Sequence, residues 1–365
     1  MKKIQIILVF IILTFICGCT KEKYIFKTYY LDEAFSIIPI VTIIDEEEKI
    51  MSLNIEKQLS EITNNLDNKF NVFKENSLIS QINNNSGIRE INVDEEFIYV
   101  LSSAIDISKK TEINKKSLYD VSIYSVWKEW QFHKNYYQYG NYANPPSNDI
   151  IKQKLPLVDY NNIIIDGNKK TVFLKEKEMM IDLGSIVKGY AADKLCEYLE
   201  SININNCLID VGGNIVTNGK NLGTKKNWKA GILMPYSYDT EIGYIITNGY
   251  KETFVTSGIY ERYIVQKDMK TNEETIYHHI LNPNTGYPED NDLVSVTIIT
   301  KNSMIADAYS TAIFLMGCKK GLEYVNNSDQ IEAVFITKDK QIKLSNNLIS
   351  RFVINEEINN FGYKL

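Results

Sequence analysis

Cysteine, histidine and runs of a single charge are scarce in this 365-residue chain. It holds five cysteines and three histidines. Cys17 and Cys19 close the leading apolar stretch, which leaves Cys196, Cys207 and Cys318. An odd set, widely spaced in apolar surroundings, makes no disulfide framework. Only His133, His278 and His279 are available to join them, and no Cys–His spacing suits zinc. Lysine and arginine number 40 against 46 aspartates and glutamates, a net charge of −6, and no basic run breaks that balance. Nucleic acid is therefore not the expected partner. Internal repeats and low-complexity linkers are missing as well, so one large domain with two lobes is expected from the chain that follows the leader.

Lys2 and Lys3 open the leader, and the apolar stretch Ile4–Ile16 is too short to span a bilayer comfortably. It ends in Ile16-Cys17-Gly18-Cys19, where small residues precede a cysteine. That resembles a bacterial lipoprotein signal. It implies cleavage after residue 18, a diacylglyceryl group on Cys19, and attachment to the extracytoplasmic face of the cell membrane. An ordinary secretory signal and an uncleaved anchor are the alternatives. Residues 19–27 then read as a tether and 28–365 as the folded domain.

Strand and helix patterns alternate along that domain without a βαβ period, which predicts an α+β fold. Strands are expected at Ile37–Ile44, Cys207–Val211, Trp228–Leu233, Tyr244–Thr247, Phe254–Thr256 and Val294–Thr300. Hairpins are expected across Asp166-Gly167-Asn168 and between Tyr260–Gln266 and Thr275–Leu281. Helical spacing covers Ser52–Asn83, loosening near Lys74–Ser77, and Asp94 opens a helix to Thr111. Tyr119–Trp130 packs helically, Tyr136–Asn148 is a surface loop, and Ser303 caps a helix to about Gly317.

Three segments carry candidate chemistry. In Ile181–Asp193 (IDLGSIVKGYAAD) an apolar strand, Met179–Ile181, meets an acid, passes Gly184 and enters a helix with Lys188 in its first turn. Unpaired amides at a helix start attract anions, so the segment is either a phosphate cradle or a plain strand–glycine–helix turn with a solvated lysine. It is not a Walker A loop, which needs a longer glycine-bounded turn. Asp307, Ser310 and Thr311 fall on one helix face, an oxygen set suited to magnesium unless these groups serve only their own backbone. His278 and His279 end a β-prone run just before a proline- and glycine-rich turn, where an imidazole either acts as a base or bonds a carbonyl. His133, among aromatics, reads as structural. Asp120 caps the following helix or meets a ligand, and Glu261 with Arg262 reads as a surface pair.

Together these segments resemble the ApbE family, the FAD:protein FMN transferases. The family's D-L-G-x-x-A-K-G-Y-A-x-D is matched by Asp182–Asp193, with Val187 in place of alanine. H-I-x-D-P-x-T-G is matched by His279–Gly286, with Asn282 in place of aspartate, and A-D-A-x-x-T-A by Ala306–Ala312. Weaker matches fall at Ser77–Asn83, Leu118–Val121, Gly212–Ile215 and Thr256–Arg262. The resemblance implies an ApbE-like (T-fold-like) α+β domain with mixed or antiparallel sheets and flanking helices. It implies FAD held by Asp182 and Lys188, with Leu118, Tyr119, Asp120 and Ile280 contributing and Phe73 at the place of a family tyrosine. Mg2+ would be bound by the Ser185 carbonyl, Asp307 and Thr311, with Ser310 close by, and His279 would be catalytic. The implied reaction moves FMN from FAD to a threonine or serine of a partner, a membrane redox subunit, releasing AMP. An FAD pyrophosphatase and a flavin-binding lipoprotein without chemistry remain alternatives. The family's early M-G-T is not recognisable, and Phe35-Ser36-Ile37 stands near its place.

Overall fold

Alternating strand residues build the largest element of this computed structural model, which describes residues 24–113, 116–135, 142–237 and 239–365. Its strands are β1 (Tyr24–Tyr30), β2 (Ile40–Glu46), β3 (Cys207–Asp210), β4 (Asn214–Asn218), β5 (Glu252–Gly258), β6 (Leu293–Thr300), β7 (Glu332–Thr337) and β8 (Ile342–Leu344). They form one eight-stranded sheet whose spatial order is chain order. Every pairing in it is antiparallel, as the α+β reading requires.

Both faces of the sheet are buried. In β7, Ala333 and Phe335 enter the main core, while Val334 and Ile336 join a second cluster with Phe254 and Ile299. This two-residue alternation is the pleat at work, and two apolar faces explain why Val294–Thr300 shows no polar alternation. Four helices build the layer on the main-core face: α1 (Ile55–Phe70), α2 (Glu95–Lys110), α3 (Val187–Ser201) and α4 (Ser303–Asn326). A three-stranded sheet of Lys229–Leu233, Glu241–Ile246 and Phe352–Ile354 covers the other. A third cluster, including Val126, Trp130, Phe132, Ile264 and Leu281, joins the helix Tyr124–Trp130 to the hairpin Tyr263–Lys267/Glu274–His278.

Several boundaries differ from the sequence expectations. β1 starts at Tyr24, so residues 24–27, read as tether, already pair with β2. Ser52–Asn83 divides into α1 and a short helix Leu78–Asn84, whose N-cap Ser77 accepts from the Ser80 amide. Asn302, not Ser303, caps α4, and non-helical Gly317, with φ of 75°, breaks it into two helices where the sequence placed its end. Met179–Ile181 is not a ladder strand. Side chains satisfy its backbone instead: Ile181 N–H donates to Asn83 Oδ1 at 2.8 Å, Asn83 Nδ2 donates to the Ile181 carbonyl at 2.9 Å, and Met180 N–H donates to Ser125 Oγ at 2.8 Å. The leader, Cys19 and residues 136–141 of the expected loop lie outside the described residues. No helix among the described residues is long and apolar enough to cross a membrane.

Candidate active site

Hydrogen bonds draw the three motif segments together. The Asp182 amide donates to the Val121 carbonyl at 3.0 Å, and Asn284 Nδ2 donates to the Ser117 carbonyl at 3.1 Å. Tyr119 and Ser185 share a hydroxyl–hydroxyl bond of 2.9 Å. The Gly189 amide, in the first turn of α3, donates to Asp307 Oδ2 at 3.0 Å. With Lys188 3.9 Å from Asp307, these bonds gather Asp182, Ser185, Lys188, Tyr119 and Asp307 in one place, and the charge of Lys188 is felt at His279.

The anion that fills the start of α3 is thus a side chain. Asp307 arrives from α4 and takes the helix-start amide that the sequence offered to a phosphate, because the helices touch there. Gly189 makes that contact possible: a Cβ on it would lie 2.1 Å from the Ser303 carbonyl oxygen. Lys188 Nζ stands 3.9 Å from Asp307 Oδ1. Burial nevertheless pushes the Asp307 carboxyl up, against the pull of Lys188 and the helix-start amides. A buried carboxylate that these neighbours do not fully compensate suits a further cation.

Asp307 and Thr311 keep the expected role open. The Thr311 hydroxyl lies one turn beyond Asp307 and has no hydrogen-bond partner among the described residues. Ser310 is engaged within the protein. Its hydroxyl donates to the Asp307 carbonyl at 2.7 Å and bonds Ser257 Oγ at 2.7 Å, because it faces the sheet. No cluster of three or more His, Cys, Asp or Glu suited to a metal occurs among the described residues; the oxygen set above needs only one carboxylate.

Asp182 accepts the Gly184 amide at 2.9 Å, and desolvation raises its carboxyl while Arg262 and Lys188 oppose the rise. For Asp120 the cap is realised. Oδ1 accepts from the Ser122 amide and hydroxyl at 2.9 and 2.6 Å, and Oδ2 accepts from the Tyr160 amide at 3.0 Å. Both oxygens accept bonds within the protein, which realises the cap reading of Asp120. Tyr119 is buried, as is Ile280, and Leu118 lines a cavity of about 500 Å³ with Asn282, Asn284 and Leu315. Phe73 is 44% exposed and stacks on His133 at 4.7 Å, and His133 in turn faces Trp127 at 6.3 Å. His133 therefore belongs to an aromatic row rather than to an isolated loop.

His279 is held by Arg262 and Trp127. Its amide and its Nδ1 each meet the Arg262 carbonyl at 3.0 Å, and its own carbonyl accepts the Trp127 indole N–H at 3.1 Å. A carbonyl can only accept, so Nδ1 carries the proton and Nε2 keeps its lone pair. Burial, with Arg262 and His278 adding positive charge, lowers the imidazole to about 3. The ring is neutral near pH 7, with the Nε2 lone pair unprotonated.

A model of the ApbE family matches residues 36–335. The chain belongs to the ApbE family. Among its relatives in the family, a Klebsiella pneumoniae (strain 342) protein named FAD:protein FMN transferase is 32% identical over 280 residues, covering 76% of this chain and 80% of that protein. One of the same name from Treponema pallidum (strain Nichols) is 25% identical, covering 86% and 80%. The solved ApbE protein of Thermotoga maritima superposes with a TM-score of 0.73 at 28% identity, covering 89% of this chain and 97% of that one. The flavin transferase ApbE from Vibrio cholerae gives 0.72 at 21% identity, covering 90% and 99%, and so shows the shared fold.

Sequence reasoning passed over Asp193, the last residue of the family's first motif. It accepts the Ser303 and Met304 amides at 3.1 and 2.8 Å and pairs with Lys251 at 2.8 Å. The motif's final acid thus satisfies the start of α4, the helix that carries Asp307. Asp193→Ala is expected to cost about 2–4 kcal/mol, since it strands a mostly buried lysine and two buried amides. A urea unfolding midpoint checks it.

Proposed function

We propose that this chain, a transferase of the ApbE family, moves the FMN moiety of FAD onto a threonine or serine hydroxyl of a partner protein. The partner is a membrane redox subunit, and the enzyme is attached through lipid on Cys19 to the extracytoplasmic face of the cell membrane. The observation that carries the reading is the gathering of Asp182 and Asp307 around Lys188, whose charge also reaches His279.

In the reaction the acceptor oxygen attacks the FMN phosphorus, the bond to the AMP phosphate breaks, and AMP leaves. Asp307 and Thr311, with the Ser185 carbonyl, would hold Mg2+, which when bound offsets the charge of the pyrophosphate. Lys188 supplies a fixed positive charge beside it. His279 Nε2 takes the hydroxyl proton, and the Arg262 carbonyl steadies the Nδ1–H side through the transfer.

His279→Ala is expected to slow transfer by about 10²- to 10³-fold with FAD affinity retained, the range of general base catalysis. The deciding experiment incubates the protein with FAD, Mg2+ and a candidate acceptor, then reads in-gel flavin fluorescence at the acceptor's mass. Fluorescence there, lost with a chelator, is expected. FMN and AMP released with the acceptor unlabelled would replace the transferase reading with a pyrophosphatase.

A further inference from the structure

Only Thr20, Lys21, Glu22 and Lys23 separate Cys19 from Tyr24, where β1 begins. Even a fully extended chain of that length reaches about 17 Å. A lipid on Cys19 therefore keeps the start of β1 close to the bilayer, and one end of the large sheet with it. Hydrogen bonds define that end. The Ile44 amide donates to the Asn206 carbonyl at 2.9 Å, and Lys49 Nζ donates to the Asn203 carbonyl at 2.7 Å. The Lys220 amide donates to Asn206 Oδ1 at 3.0 Å. A Cβ on Gly223 would lie 3.0 Å from the Phe26 ring, and one on Gly249 would lie 3.1 Å from Lys220 Cε.

Phe26, the short helix Glu47–Ser52, the hairpin of Lys220–Asn221 with Lys226–Asn227, and Tyr250 thus gather where the chain leaves for Cys19. Three large side chains there lack protein cover: Phe26 is 45% exposed, Met51 71% and Tyr250 73%. Exposed Lys220, Lys225 and Lys226 stand on the hairpin, and exposed Glu47 and Glu48 on the helix. The groups read as catalytic lie at the other end. α3 carries Lys188 in its first turn and finishes at Ser201, just before the Asn203 that Lys49 bonds. Its 15 residues span about 22 Å. β3 runs the same way, from Cys207 beside Ile43 to Asp210, whose carboxyl feels Lys188.

We propose that this end of the sheet, with Phe26, Met51 and Tyr250 foremost, is a membrane-contact surface that rests on phospholipid headgroups and holds the catalytic end about 20 Å away from them. This rests on the proposed lipid on Cys19. Aromatic and thioether side chains enter the boundary between headgroups and acyl chains, where an apolar body and a polar tip both find partners. Lysines beside them keep their ammonium groups at the level of the phosphates. Glu47 and Glu48 offset much of that charge, so apolar contact is the larger contribution. The acceptor hydroxyl then belongs to a part of the partner protein that stands clear of the bilayer.

The test places a fluorophore on the lipidated protein through Tyr250→Cys, Met51→Cys or Glu33→Cys. Cys196, Cys207 and Cys318 are buried, so the label goes to the introduced thiol. Glu33 is exposed and follows β1 at the catalytic end. Each labelled protein is bound to phosphatidylcholine–phosphatidylglycerol vesicles whose headgroups carry a nitroxide quencher. Labels at positions 250 and 51 are expected to be quenched about fivefold more than the label at 33, since interfacial groups sit about 5–10 Å deep and position 33 about 20 Å away. Equal quenching at the three positions, or the strongest at 33, overturns the surface while the anchor stands. Wild type whose mass shows no lipid on Cys19 overturns the anchor reading, and the surface with it.

Discussion

Asp307→Asn is expected to reduce flavin transfer by about 10³-fold while FAD binding measured in a chelator stays near wild type. The substitution removes one charge and almost no volume. Its amide oxygen can still accept the Gly189 amide that Asp307 Oδ2 accepts at 3.0 Å, so the contact between α3 and α4 persists. What disappears is the negative oxygen 3.9 Å from Lys188, the carboxylate expected to face Mg2+. A neutral oxygen binds that hard cation poorly, and the charge of the pyrophosphate is then offset by Lys188 without the metal. AMP release with varied Mg2+ checks this, with a large increase in the Mg2+ needed for half-maximal rate as its signature. Unchanged rates at low Mg2+ would sink the role given to Asp307.

Gly189→Ala is expected to destabilise the fold by about 3 kcal/mol, and its sign is the informative part. Helix propensity alone predicts a gain of about 1 kcal/mol for alanine over glycine inside a helix. Here the new Cβ would lie 2.1 Å from the Ser303 carbonyl oxygen and 2.9 Å from Asp307 Cβ. The first of these is backbone and cannot rotate away, so α3 and α4 must separate. Separation pulls Asp307 from the Gly189 amide, so activity falls together with stability. Thermal unfolding monitored by circular dichroism measures the first effect and AMP release the second. A variant as stable as wild type would show that the two helices do not meet as described.

Much of this was legible from local pattern. Asp94 caps α2 where the acidic first turn placed it, and the hairpin around Asp166-Gly167-Asn168 pairs Ile163–Asp166 with Thr171–Leu174. Such features depend on neighbours in the chain, so spacing and turn chemistry reveal them. Met179–Ile181 misled for the same reason. Its apolar residues fit a strand, but its hydrogen bonds go to Asn83 and Ser125, nearly a hundred and more than fifty positions away.

The α+β class, the order of the elements and the residue types collected in three short motifs follow from the chain's local patterns. Only the tertiary structure decided how those residues are used. Asp307 serves the start of α3, Asp193 serves the start of α4, Asp120 caps the turn after it, and the Arg262 carbonyl fixes His279. The reason is physical. Buried polar groups must find partners, and which partner is within reach depends on how helices and strands pack, across separations that no local periodicity records.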